Sequence, residues 1–346
     1  MKNIFNKVAF TCVFLLISIN NQAQTPSDAV DYMNELGVAT EELKNETWRY
    51  LKAITRGKSA RKVEKKRQQL VSGLKGKKGE VLRTKGFTKD CQYKKAVVDY
   101  LDLSYTVLKE DFDKILDMEE IAEQSFDLME AYITAKEKAN DKLDNAFDDL
   151  QIAQEVFAAQ NNITLVEGEM DKKSQKIKNA NKALEYYNDI YLIFFKSFKQ
   201  EAYVLDAYQR SDINAMEQNI NSLIQFNQEG FQKIDETDNY NGDGTLKVVA
   251  KQMLTFYDQE ANRHFPKVVD FFMAKDKFEK LNKVMESKKK KDITKEEIEN
   301  FNEAVKEYNK AVKEVNEVNE TMNALRAQKL DLWNSQVENY FDRHTN

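Results

Sequence analysis

Six basic residues within ten positions, Lys58, Arg61, Lys62, Lys65, Lys66 and Arg67, form the sharpest concentration of one chemistry in the chain. Such a cluster can hold phosphate, sulfate or carboxylate groups of an anionic polymer or surface. It sits in a wider imbalance: residues 56–95 carry 15 basic side chains against 3 acidic, and residues 99–155 carry 17 acidic against 5 basic. Two readings follow, an outward face for an anionic partner or a basic and an acidic helix lying side by side and neutralising each other. Other chemistries lack their apparatus. Two histidines and two cysteines, with neither a His-Glu-x-x-His nor a Cys-x-x-Cys spacing, do not supply a zinc site. His264 lies four residues after Glu260, which is not the Glu-x-x-His spacing of bundle di-iron sites. No nucleophile elbow, phosphate-binding loop or dinucleotide fingerprint occurs, so no cofactor is expected and the chain reads as a non-enzyme. Pairs such as Asp148-Asp149 and Glu119-Glu120 read as solvated helix faces. Asp238–Thr245 has the oxygens and glycines of a calcium loop, but Ala250 stands where the bidentate glutamate belongs. It reads instead as an Asx-and-glycine turn capped by Thr245.

What lies before these residues bears on where they act. Lys2 and Lys7 precede an apolar run from Val8 to Ile19, then polar Asn20-Asn21-Gln22 and small Ala23, the three regions of a secretory signal peptide. Cleavage is expected after Ala23, giving a protein of the periplasm, cell surface or medium. The run is short of the ~20 residues that span a bilayer, and no transmembrane segment is expected in the mature chain. Cys12 lies inside the apolar run and is discarded with it, leaving Cys91 alone, without a partner for an internal disulfide. Export also argues against nucleic acid as the partner of the basic cluster.

The elements that must position these groups are helices. Two prolines and ten glycines in 346 residues cannot punctuate an all-β fold, which needs a turn every ~8–12 residues. From Met118, a seven-residue row of Ser125, Tyr132, Ala139, Ala146 and Ala153 runs beside a second row of Ala122, Met129, Leu143, Leu150 and Phe157. Phe301, Tyr308, Val315 and Met322 form another such row. These seams predict an all-α, elongated bundle of long antiparallel coiled-coil-like helices. The apolar stretch Ile190–Phe198, like Trp48 and Trp333, is expected in the core.

The helices are expected in two sets. Asp90–Asp117 aligns with Asp243–Asp270 at a constant offset of 153, matching Lys94 to Lys247, Leu101 to Leu254 and Phe112 to Phe265. Upstream, Leu51, Ala53 and Arg56 match Leu205, Ala207 and Arg210 at an offset of 154. The expectation is a signal peptide (1–23) and two tandem pseudo-repeats of about four helices, 24–172 and 173–346.

Tyr50-Leu-Lys-Ala-Ile54, Gly57–Arg67, Met118-Glu-Glu-Ile-Ala-Glu123 and Ile193-Phe-Phe-Lys-Ser197 resemble an uncharacterised surface-protein family of spirochaetes and Bacteroidota. The resemblance implies an all-helical protein of the bacterial envelope and assigns no site residue. The combined expectation is a non-enzymatic exported scaffold or binding module for another envelope protein or polymer. The alternative is a periplasmic carrier of a small or lipidic ligand in a groove between the two helical units.

Overall fold

The protein, seen in a computed structural model, is described over residues 16–17, 26–87, 92–166 and 171–345. The expected signal peptide, apart from positions 16 and 17, and Cys91 therefore lie outside the described residues. The fold is all-α. Apart from an antiparallel ladder of two residues, Leu16–Ile17 on Leu165–Val166, the regular elements among the described residues are helical.

The contacts divide the chain into two compact units, one running to Asn188 and regaining Glu338–Asn346, the other Asp189–Val337. The first contains α1 (Pro26–Thr55), α2 (Ala60–Arg83), α3 (Tyr93–Thr106), α4 (Phe112–Ala122), α5 (Phe126–Gln160) and the start of α6 (Lys172–Gln209). Its core is one cluster in which Leu36, Leu70, Leu101, Val107, Leu143 and Phe157 are fully or nearly fully buried. The second contains the rest of α6, α7 (Ile213–Glu236), α8 (Thr245–Gln259), α9 (Phe265–Ser287) and most of α10 (Lys295–His344). Ile190, Phe194 and Phe195 are buried there, as are Leu223, Leu246, Met253 and Trp333, so the apolar stretch of α6 and this tryptophan are core.

The unit boundary differs from the expected one at 172/173. Ile177 and Ala180, in the first half of α6, pack on Leu51 of α1, and Lys44 bonds Asp171 at 2.7 Å. One uninterrupted helix thus serves both cores, which a sequence boundary placed at a turn cannot express. The seam predicted from Met118 is also broken. Helix α4 ends at Ala122, and Ser125, expected as a seam residue, is the N-cap of α5, its hydroxyl accepting from the Leu128 N–H at 3.2 Å. Of the predicted rows, Ala122 is buried at the end of α4, and Met129, Ala139, Leu143, Leu150 and Phe157 are buried along α5.

Both units interrupt a helix in the same way. Val107–Asp111 joins α3 to α4, and Glu260–His264 joins α8 to α9, each as a single π turn closed by a bond to the residue five positions back: Phe112 N–H to Val107 C=O and Phe265 N–H to Glu260 C=O. A π turn inserts one residue into the helical ladder and re-aims the side chains beyond it. Helices α1 and α6 end alike. Gly57 (φ +54°) and Ser211 (φ +56°) take the left-handed position, and Lys58 N–H to Ala53 C=O and Asp212 N–H to Ala207 C=O close a Schellman-type cap at 3.1 and 3.0 Å. Lys94 and Lys247 each hold a carbonyl ten residues back, that of Thr84 and of Thr237.

The turn over Asp238–Thr245 is a tight turn with Asn241 (φ +50°) and Gly242 (φ +81°) left-handed. The cap of α8 comes from Asp243, whose carboxylate accepts the Thr245 N–H at 2.8 Å, rather than from the hydroxyl of Thr245. Among the described residues no group of His, Cys, Asp and Glu is arranged to hold a metal ion. No described helix is long and apolar enough to cross a membrane.

Candidate functional site

The basic cluster does not form one surface. Lys58, Arg61, Lys62 and Lys65 are exposed around the start of α2, and Lys66 is half-buried and bonds Gln69 at 2.9 Å. Arg67 turns inward and is only 2% exposed. Its guanidinium holds Glu64 at 2.7 and 2.8 Å, Asp113 of α4, and the backbone carbonyl of Leu108 in the π turn. Arg67 is therefore no part of a face for an anionic partner. The signal for this was present in the sequence: Arg67 shares helical spacing with Leu70, Val71 and Leu74, all buried. Further along α2, Lys77 pairs with Glu42 of α1 and Glu80, and Lys78 with Asp102 of α3. Adjacent acids thus neutralise Lys77 and Lys78, and the start of the basic segment remains exposed.

Behind that exposed start lies a cleft of about 470 Å³. This is within the range of small-molecule sites. Tyr50, Leu51 and Ile54 of α1 and Phe112, Ile115 and Leu116 of α4 give it an apolar floor. Helices α5 and α6 supply a polar wall that includes Lys136, Glu137, Asp141, Asn181 and Glu185, and Lys58 and Glu64 line it from the α1–α2 side. The floor depends on the π turn, because Phe112 and Ile115 begin the helix that follows it.

The electrostatics of the wall are unbalanced. Lys136 stacks its ammonium over the Tyr132 ring at 5.0 Å. Burial pushes its pKa down, opposed by the nearby carboxylates of Glu119 and Glu137. Burial, and after it the charge of Glu119 on Tyr132, holds the Tyr50 and Tyr132 phenols well above their ordinary range. Burial, then repulsion from Glu185 and Asp141, raises Glu137; burial, then Asp141, raises Glu185, against the pull of Lys182. Next to them, Asp144 is 8% exposed, its Oδ2 has no hydrogen-bond partner, and burial together with Asp141, Asp148 and Glu185 pushes it up to about 7. The sequence reading placed such acids on solvated faces. Asp144 carried a contrary signal, lying between Leu143 and Phe147 on the buried stripe of α5.

The second unit treats its acids differently. Arg326 of α10 donates from Nε to Glu201 at 2.5 Å and from Nη2 to Glu260 at 2.7 Å, and both carboxylates are buried. His264, expected as an ordinary helix-end residue, closes the π turn that begins at Glu260, and burial lowers its pKa.

No protein-family model, curated protein or solved structure matches the chain.

Proposed function

We propose that the chain is a non-enzymatic helical binding protein of the bacterial envelope whose first unit carries a small molecule in the α1–α4–α5–α6 cleft. The observation that carries this reading is the cleft itself: an apolar floor facing a wall of polar and charged side chains, with the buried, unpartnered Asp144 Oδ2 on the same helix as that wall. Well-packed cores leave few such spaces, and buried polar atoms are ordinarily satisfied. The signal-peptide-like start and the resemblance of Gly57–Arg67 to an envelope family support the location. The cleft lies wholly within the first unit, which revises the expectation of a groove between units. Native mass spectrometry of the protein isolated from cells that make it tests this. We expect a non-covalent small-molecule adduct that Leu184→Trp, filling the cleft, eliminates. A bare chain mass in every preparation contradicts it.

The two units read as diverged copies of one four-helix plan. Helices α2 and α7 have the same 24-residue span 153 positions apart, and the two π turns, the caps at Gly57 and Ser211, and the lysine–carbonyl bonds recur in step. Duplication explains how one copy could keep a structural core while the other acquired a site.

A second reading, a scaffold that grips an anionic envelope polymer or protein, is favoured by one observation: Lys58, Arg61, Lys62 and Lys65 are exposed and have no ion pair among the described residues. In-cell cross-linking followed by mass spectrometry checks it. Links from these lysines to one partner support it, and links confined to α2 and its own neighbours oppose it.

A further inference from the structure

The wall of the cleft specifies the chemistry of its ligand. Glu137, Asp141 and Asp144 recur at i, i+4 and i+7 along one face of α5, and Glu185 meets them from α6. Three of these four line the cleft, and each repels at least one of the others. Their shortage of counter-charge is structural. Of the two lysines that line the cleft, Lys136 is held at the Tyr132 ring, near Glu119 and Glu137, and Lys58 is exposed and pairs with none of these acids, while Lys182 pulls on Glu185. Asp141 and Asp144 have no ion pair among the described residues, and the unpartnered Oδ2 of Asp144 is buried beside them. Glu137 and Glu185 are half-buried, Asp141 reaches solvent and Asp144 is buried outside the lining, and a cation brought to the half-buried pair offsets the cost of keeping it charged. A metal ion does not suit the place, because no metal-holding arrangement of side chains occurs among the described residues and the opposite side of the cleft is apolar.

We propose that the Asp141–Glu185 end of the cleft takes the cationic nitrogen of an amphiphilic organic cation, such as a primary amine or amidine, whose apolar body lies on Tyr50, Ile54, Phe112 and Ile115. Apolar contact supplies affinity along the floor, and the carboxylates select the charged head over neutral or anionic molecules of the same shape. The proposal rests on the reading that the cleft is a ligand site.

Three probes of equal length and matched apolar body test it on the full chain by isothermal titration calorimetry: 4-phenylbutylamine, 4-phenylbutan-1-ol and 4-phenylbutyrate. We expect the amine to bind about tenfold or more tighter than the alcohol, and the carboxylate weakest of all. The double variant Asp141→Asn/Glu185→Gln should reduce the amine to the level of the alcohol and leave the alcohol unchanged. Removing repelling acids does not endanger folding, and Leu184→Trp should abolish binding of both. Binding of the alcohol or carboxylate as tightly as the amine, with the same loss in Leu184→Trp, overturns the cation assignment and leaves the ligand-site reading standing. Amine binding that survives both variants lies elsewhere and overturns the assignment too. If none of the three binds, the cleft reading falls together with the proposal.

Discussion

Each of the two π turns is attended by one arginine, Arg67 buried and Arg326 half-buried, and the two meet different demands. Arg67 spends a donor on the Leu108 carbonyl and pairs with Glu64 and Asp113, whose side chains are 35% and 57% exposed. Arg326 stands between Glu201 and Glu260, which are 2% and 0% exposed, one guanidinium for two buried acids. It cannot balance both charges. Burial, together with the charge of Glu201, pushes the Glu260 carboxyl well above its ordinary range, against the pull of Arg326. At the position 153 residues earlier stands Val107, so the same backbone irregularity has an apolar residue in one unit and an acid in the other. The second unit has internalised its acids and tied them to an arginine. The first has left acids facing a cleft, and that is why the cleft, rather than the buried Glu201–Arg326–Glu260 group, is the place to look for a ligand.

The largest effect should separate the arginines. Arg326→Met leaves two buried acids with no cation and should cost about 3–5 kcal/mol in urea denaturation at pH 7. Arg67→Met mainly strands one carbonyl and frees two acids that reach water, for about 1–3 kcal/mol. Equal costs, or the reverse order, would break the comparison.

Acid substitutions sharpen it through pH. The Asp144 carboxyl is raised from its ordinary 3.8 to about 7, so the folded chain holds that proton more tightly than the unfolded one. Stability from this residue is full below about pH 4 and is lost as pH rises through 7. Asp144→Asn should therefore gain about 4 kcal/mol at pH 8 and almost nothing at pH 4, by thermal melts at the two pH values. Glu260→Gln should flatten the same kind of decline, which sets in above the ordinary carboxylate range because the folded chain holds this proton more tightly. A pH-independent effect of either substitution would place the acid in a different environment from the one described.

The smallest effect lies at the paired caps. Gly57→Ala imposes a Cβ on a left-handed residue and should cost about 1 kcal/mol, whereas Ser211→Gly removes that strain and should gain a similar amount, by chemical denaturation. Opposite signs are the expected outcome. Two changes of the same sign would show that the caps are not equivalent.

The fold was largely legible because it is written in local spacing. The scarcity of proline, the seam from Met129 to Phe157, and the apolar Ile190–Phe198 stretch each depend on neighbours along one helix. The π turns were not legible, since one inserted residue leaves the composition of α3–α4 unchanged and shifts only the phase beyond it. The cleft was less legible still. Lys136, Glu137, Asp141 and Glu185 have the composition of any solvated helix face, and only the meeting of α5 with α6 across the floor from α1 and α4 makes them a wall. Arg67 was hidden by its five basic neighbours, although its spacing with Leu70 and Leu74 gave its direction away. Charge counts record how many groups a segment carries, and function here depends on which of them lack a partner.

Hydrogen exchange with and without 4-phenylbutylamine sets the two units against each other in one experiment. Slowed exchange in peptides covering 112–122, 130–145 and 177–188, with peptides covering 213–264 unchanged, is the result expected of a ligand site confined to the first unit. Unchanged exchange throughout, or slowing confined to 213–264, would contradict it.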